Sequence, residues 1–171
     1  FFDMDDVLFE KAEAEFDRHE VSITAGEDVS VKYNLTGNAN LHRQLIYGRE
    51  YTITEGIADR DGVAEFSPDT VTIHGTSPGK MQITVFVEDL SSGERVAEDT
   101  LKVTIDSIDI SSAEVSAEED IFLYDGEAQT PELSVKMDDK ELKLGQDYII
   151  YYYNSTKSGE AEAVVTGTGN Y

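Results

Sequence analysis

Three groups of side chains in this sequence are of types that could do chemistry: scattered histidines, aspartates near glycines, and a run of tyrosines. His19, His42 and His74 form no H-x-x-x-H pair and no H-E-x-x-H motif. A zinc site would need them to converge through the fold, and surface or turn histidines are the plainer reading. Asp59-Arg60-Asp61-Gly62 has a D-x-D-G core, but the third oxygen ligand and the later Glu of a full calcium loop are absent. It reads best as an Asp-Gly turn. Asp106, Asp109 and Glu114 lie close together in the chain, and calcium bridging carboxylates is the one cofactor chemistry they would support.

Tyr148, Tyr151, Tyr152 and Tyr153 carry the strongest binding signal. On a strand, Tyr151 and Tyr153 share one face and Tyr152 takes the other. One of these faces is core. The other offers aromatic surface that can stack on sugar rings or dock a protein. Tyrosine is also simply a good strand residue. There is no cysteine, so disulfides and thiolate chemistry are excluded. No G-x-S-x-G elbow, phosphate loop or dinucleotide fingerprint occurs, and nothing marks the chain as an enzyme.

The elements that must position these groups alternate with period two. Val21 and Ile23, then Val29 to Leu35 after the Ala25-Gly26 turn, read as two strands around a tight connection. Tyr51–Thr54, Thr70–Ile73, Met81–Val87 and Leu101–Ile105 follow, separated by Gly56, Gly75-to-Gly79 and Ser91–Glu94. Short strands at this spacing predict a β-sandwich over residues 20–106. The pattern breaks at 107–112 and restarts with Ile121–Tyr124, Leu133–Met137, Leu142 to Leu144, Tyr148–Tyr153 and Ala161–Thr166. That predicts a second, smaller sandwich over 107–171, expected to lack its last strand. Residues 1–19 read as a linker or short helix, since Glu, Lys and Ala are good helix formers. Glu13-Ala14-Glu15-Phe16 also alternates.

Charge limits the partners. There are 36 acidic residues against 13 basic ones, a net of −23, spread along the chain. Such a surface repels phosphate backbones and anionic lipid, so neither nucleic acid nor a membrane surface is expected to bind. No apolar stretch approaches the ~18 residues of a membrane helix, and the start does not look like a signal peptide. The chain is read as a mature segment excised from a longer parent.

Two stretches resemble known families. Gly75-Thr76-Ser77-Pro78-Gly79-Lys80-Met81-Gln82-Ile83-Thr84-Val85 is similar to the G-x-x-x-G-x-x-x-I-T-V stretch of bacterial Ig-like domains of the group 2 type. Residues 121–171 resemble a repeat of Gram-positive surface proteins. The matching positions are Tyr124, Gly126 and Pro131, then Leu142, Gly145, Asp147, Tyr148, Tyr152 and Asn154, then Gly159, Ala161, Gly167, Gly169, Asn170 and Tyr171. Such repeats usually continue past G-N-Y into one more strand. The resemblance implies an all-β chain of two consecutive immunoglobulin-like sandwiches, secreted and located at a bacterial cell surface or cell wall. It implies no catalytic residue and no resident cofactor. Lys–Asn crosslinks occur in some domains of this surface class; Lys32 and Lys102 are strand lysines of the right type, without a matching motif.

Three roles follow as expectations. The first is a spacer or stalk beside other modules of the same parent chain. The second is an adhesin or carbohydrate-binding module that takes a polysaccharide or host surface protein on Tyr151, Tyr152 or Tyr153. The third is an accessory domain of a secreted hydrolase.

Overall fold

A strand survives only where its apolar face finds a second layer and its backbone finds a ladder. The computed structural model describes residues 11–37, 44–58 and 60–171, and shows where both conditions are met. The chain divides into two compact units, residues 1–106 and 107–171.

Among the described residues the first unit has eight strands: β1 (Glu13–Phe16), β2 (Glu20–Thr24), β3 (Asp28–Thr36), β4 (Leu45–Glu55), β5 (Ala64–Phe66), β6 (Thr70–His74), β7 (Gly79–Asp89) and β8 (Glu94–Asp106). They form two sheets in the orders β1-β3-β6-β5 and β2-β8-β7-β4. All pairings are antiparallel except β2 with β8, which is parallel. This is the strand order of an immunoglobulin-like sandwich, with the first strand split between the two sheets. Alternation decides what lies inside. On β7, Met81, Ile83, Val85 and Val87 are buried while Lys80 and Gln82 are not. Val31, Val71, Ile73, Leu101 and Val103 meet them in the core. Each such burial stabilises by about 1.5–3 kcal/mol relative to exposure.

The tight connection at Ala25-Gly26 is not a hairpin. β2 pairs with β8 and β3 with β1 and β6, so the chain changes sheets there. The Gly26 N–H donates to the Gly75 carbonyl at 2.7 Å, and the Gly75 N–H donates to the Glu27 carbonyl at 2.8 Å. At the end of the same loop Gly79 has φ +152°, and a Cβ there would sit 2.3 Å from the Glu55 carbonyl oxygen. The two glycines of the G-x-x-x-G stretch therefore allow backbone to touch backbone.

The helix or linker expected over 1–19 is corrected where the residues are described, since Glu13–Phe16 is strand β1; residues 1–10 lie outside the described part. The tertiary setting overrides helix propensity. Phe16 is 2% exposed and meets the Tyr33 ring edge-on at 5.7 Å. Its N–H donates to the Asp99 carboxylate at 2.8 Å.

The second unit has a 3-10 turn at Ile110–Ser112 and strands β9 (Glu114–Ala117), β10 (Leu133–Met137), β11 (Lys140–Glu141), β12 (Tyr148–Tyr153) and β13 (Glu162–Gly167). One sheet runs β11-β10-β9, and the other is the antiparallel pair β12-β13. Its core is small: Val135, Leu142 and Tyr148 are buried, with Ile110, Ala113, Met137, Ile150, Val165 and Tyr171 packed around them. The strand expected at Ile121–Tyr124 is not one. No ladder includes it, and Ile121 and Leu123 are 86% and 91% exposed. High β propensity forms a strand only against a partner backbone, and none reaches this segment.

Candidate functional site

β12 and β13 pair in register, Tyr148 with Gly167, Ile150 with Val165 and Tyr152 with Ala163. Tyr148 is buried, and Ile150 and Val165 pack on the core, so this set faces inward. Tyr151 and Tyr153 therefore point outward, each 51% exposed, beside Val164. They stand roughly 7 Å apart along the strand. Tyr152 turns inward, and its hydroxyl donates to the Pro131 carbonyl. Burial pushes that hydroxyl above the ordinary tyrosine range, and the nearby Tyr148 and Glu132 push it the same way.

At the turn end of this hairpin the inner face is not covered. A groove of about 650 Å3 lies between Tyr152, Ala161 and Ala163 on one side and Phe122, Leu123 and Tyr124 on the other. The small side chains of Ala161, just before β13, and Ala163, on it, leave the space, and the unpaired 121–124 segment forms the wall. The groove could have been suspected from the apolar run next to a turn. Its alanine floor gives no such signal.

The motif residues of this unit build structure. The Asp147 carboxylate accepts from the Lys143 N–H at 2.9 Å, and the Gly145 N–H donates to the Tyr148 carbonyl. The Thr168 N–H and hydroxyl donate to the Asp147 and Gln146 carbonyls, and Lys140 Nζ lies 2.7 Å from the Tyr171 hydroxyl. That hydrogen bond raises the Lys140 pKa. The G-x-D-Y loop and the G-x-G-N-Y end thus clamp each other, and Tyr148 is carried into the core between them.

The remaining candidates sit apart. The Asp106 carboxylate accepts from the Ser22 hydroxyl at 2.8 Å. Asp109 caps the 3-10 turn, and the Ser111 N–H holds its carboxyl below the usual range. Glu114 is exposed on β9. Asp61 precedes Gly62, whose φ is +71°, in the turn before β5; Asp59 and His42 lie outside the described residues. Among the described residues no three His, Asp or Glu side chains gather as a metal site. His19 Nε2 lies 3.0 Å from the Asp99 carboxylate, which also holds β1. His74 Nδ1 lies 3.0 Å from Asp28. Lys32 and Lys102 are exposed on outer faces, Lys102 beside Glu20, so neither is a core lysine.

No protein-family model and no curated protein matches the chain. Among solved structures it is similar to a chimeric titin Z1Z2 functionalized with a KLER exogenous peptide from decorin, at 12% identity and a TM-score of 0.32. That match covers 92% of this chain and 82% of the other.

Proposed function

We propose that this chain is a non-catalytic spacer, two sandwiches that project other modules of one parent protein from a bacterial cell surface or cell wall. The observation that carries this reading is how the polar side chains are spent. Asp99 ties β1 to the opposite sheet, Asp106 and Asp109 hold local backbone and hydroxyl groups, and Asp147 clamps a loop. Arg49 donates to the Tyr33 hydroxyl and to the Pro68 carbonyl. These five side chains, of types that could act as acids, bases or ligands, serve the fold. The acidic surface suits dense display, because like charge keeps neighbouring copies apart. The resemblance of residues 121–171 to a Gram-positive surface repeat points the same way.

The test is replacement within the parent protein. Exchanging residues 11–171 for an unrelated two-domain sandwich of similar length should leave surface display and distal-domain activity intact, whereas deletion should reduce them. Loss of activity on exchange would overturn the spacer reading.

A second reading is favoured by Tyr151 and Tyr153, which share one exposed face. Paired aromatics at that spacing can stack on successive sugar rings, as in an adhesin or carbohydrate-binding module. A glycan screen in which Tyr151→Ala and Tyr153→Ala each abolish a saturable signal would support it. An empty screen would remove it.

A further inference from the structure

The groove in the second unit has three properties that belong together. Its floor combines the ring of Tyr152 with the small side chains of Ala161 and Ala163. Its wall is an extended segment, Ile121–Tyr124, that forms no ladder although its residues are strongly β-prone. Five acidic residues line it, Glu119, Asp120, Glu127, Glu160 and Glu162, against Lys157 as the single basic one. Beside it, β12 and β13 form a sheet of two strands, the least self-sufficient arrangement of a sheet.

We propose that this groove receives an extended peptide segment of a partner protein, in which apolar residues alternate with Lys or Arg. An added strand gains main-chain hydrogen bonds from an unpaired backbone, and alternate side chains give the specificity. Apolar residues of such a peptide enter between Phe122 and Ala163, and its cationic residues face the carboxylates at the rim. Charge selects the occupant. A second copy of this chain would bring a net of −23 against a rim of the same sign. Nucleic acid and anionic glycans meet the same repulsion. The proposal does not depend on the spacer reading.

The experiment titrates the whole 171-residue chain with an end-capped octapeptide alternating Val and Lys, followed by calorimetry, with the Val–Glu octapeptide as control. The Val–Lys peptide should bind saturably and the Val–Glu peptide should not. Because a strongly acidic protein attracts any cation, two charge-matched variants separate the groove from the general field. Glu160→Lys, at the rim, should weaken binding by about tenfold, whereas Glu141→Lys, exposed on β11, should change it less than about twofold. Ala163→Trp fills the floor without changing charge and should also cost about tenfold. If that variant melts early, the two charge variants still decide.

Equal losses in Glu160→Lys and Glu141→Lys would overturn the proposal, as would absence of saturation up to about 1 mM peptide. Binding of cellohexaose that Ala163→Trp abolishes would reassign the groove to neutral sugar. Sedimentation showing a dimer of the chain alone, lost in Ala163→Trp, would reassign it to a second copy.

Discussion

The two units solve the same problem with different means. The first closes two four-stranded sheets over a core in which Val31, Ile73, Ile83, Val85, Val87 and Leu101 are fully enclosed. The second buries three side chains and holds its shape with loop hydrogen bonds, the Lys143 N–H to the Asp147 carboxylate within one loop and the Thr168 hydroxyl to the Gln146 carbonyl between two. A surplus of apolar contacts spreads stability over many positions. A core of three side chains concentrates it in each of them. That contrast also explains why the open groove occurs in the second unit, where too few large side chains face inward to fill the end of the hairpin.

The contrast can be broken most sharply at Tyr148. Tyr148→Ala should cost about 3–5 kcal/mol, comparable with the whole stability of a unit this size. Amide dispersion in NMR spectra should then collapse for residues 107–171 and persist for 20–106. Retained dispersion in both would mean that the clamp, not the core, holds the second unit. In the first unit, Gly79→Ala should cost about 1–3 kcal/mol, because φ +152° and the Glu55 carbonyl both oppose a Cβ. Thermal melting should show that loss without moving the second unit's signals.

Asp147→Ala tests the clamp itself. Losing the acceptor for the Lys143 N–H should cost about 1–2 kcal/mol, read as reduced hydrogen-exchange protection at Lys143 and Thr168. The smallest effect belongs to Tyr152. Its hydroxyl is held above the ordinary value of 10.0, so the folded second unit favours the neutral phenol. This contribution is complete below the unfolded value and is lost as pH rises through the folded one. Tyr152→Phe should remove the hydrogen bond to Pro131 for about 1 kcal/mol and flatten the fall in stability above about pH 10. An unchanged alkaline limb in that variant would assign the fall to other tyrosines.

Period-two alternation made most strands readable before any coordinates, because each β7-type stretch must put one face inside. Pairing was not readable. Whether Val21–Ile23 joins Val29–Leu35 or the distant Leu101–Ile105 depends on which layer the chain enters after Ala25, and no local pattern encodes that. The alternation at residues 13–16 was visible beside a helix or linker reading, and what decides for the strand is the bond of Phe16 to Asp99, far away in sequence. At the tyrosine run, parity was legible in advance: Tyr151 and Tyr153 had to share a face. Which face met water depended on Ile150 and Val165 packing inward together. The groove was legible only in the apolar run at 121–124, since three separate segments build it and Ala161 and Ala163 give no signal in the sequence.

The parallel pairing of β2 with β8 has a mechanical consequence. These strands stand near opposite ends of the first unit's chain and run side by side, with Glu20 through Thr24 matched to Lys102 through Asp106. Tension applied between Glu20 and Asp106 slides one strand along the other, loading all five matched positions at once in shear. Nothing can unzip one bond at a time until that patch gives way. Rupture under force is a rate process, governed by the barrier to the first break and not by equilibrium stability. The resistance of this unit to stretching is therefore set by a short strip along β2, while the large core behind it contributes little until the strip has failed.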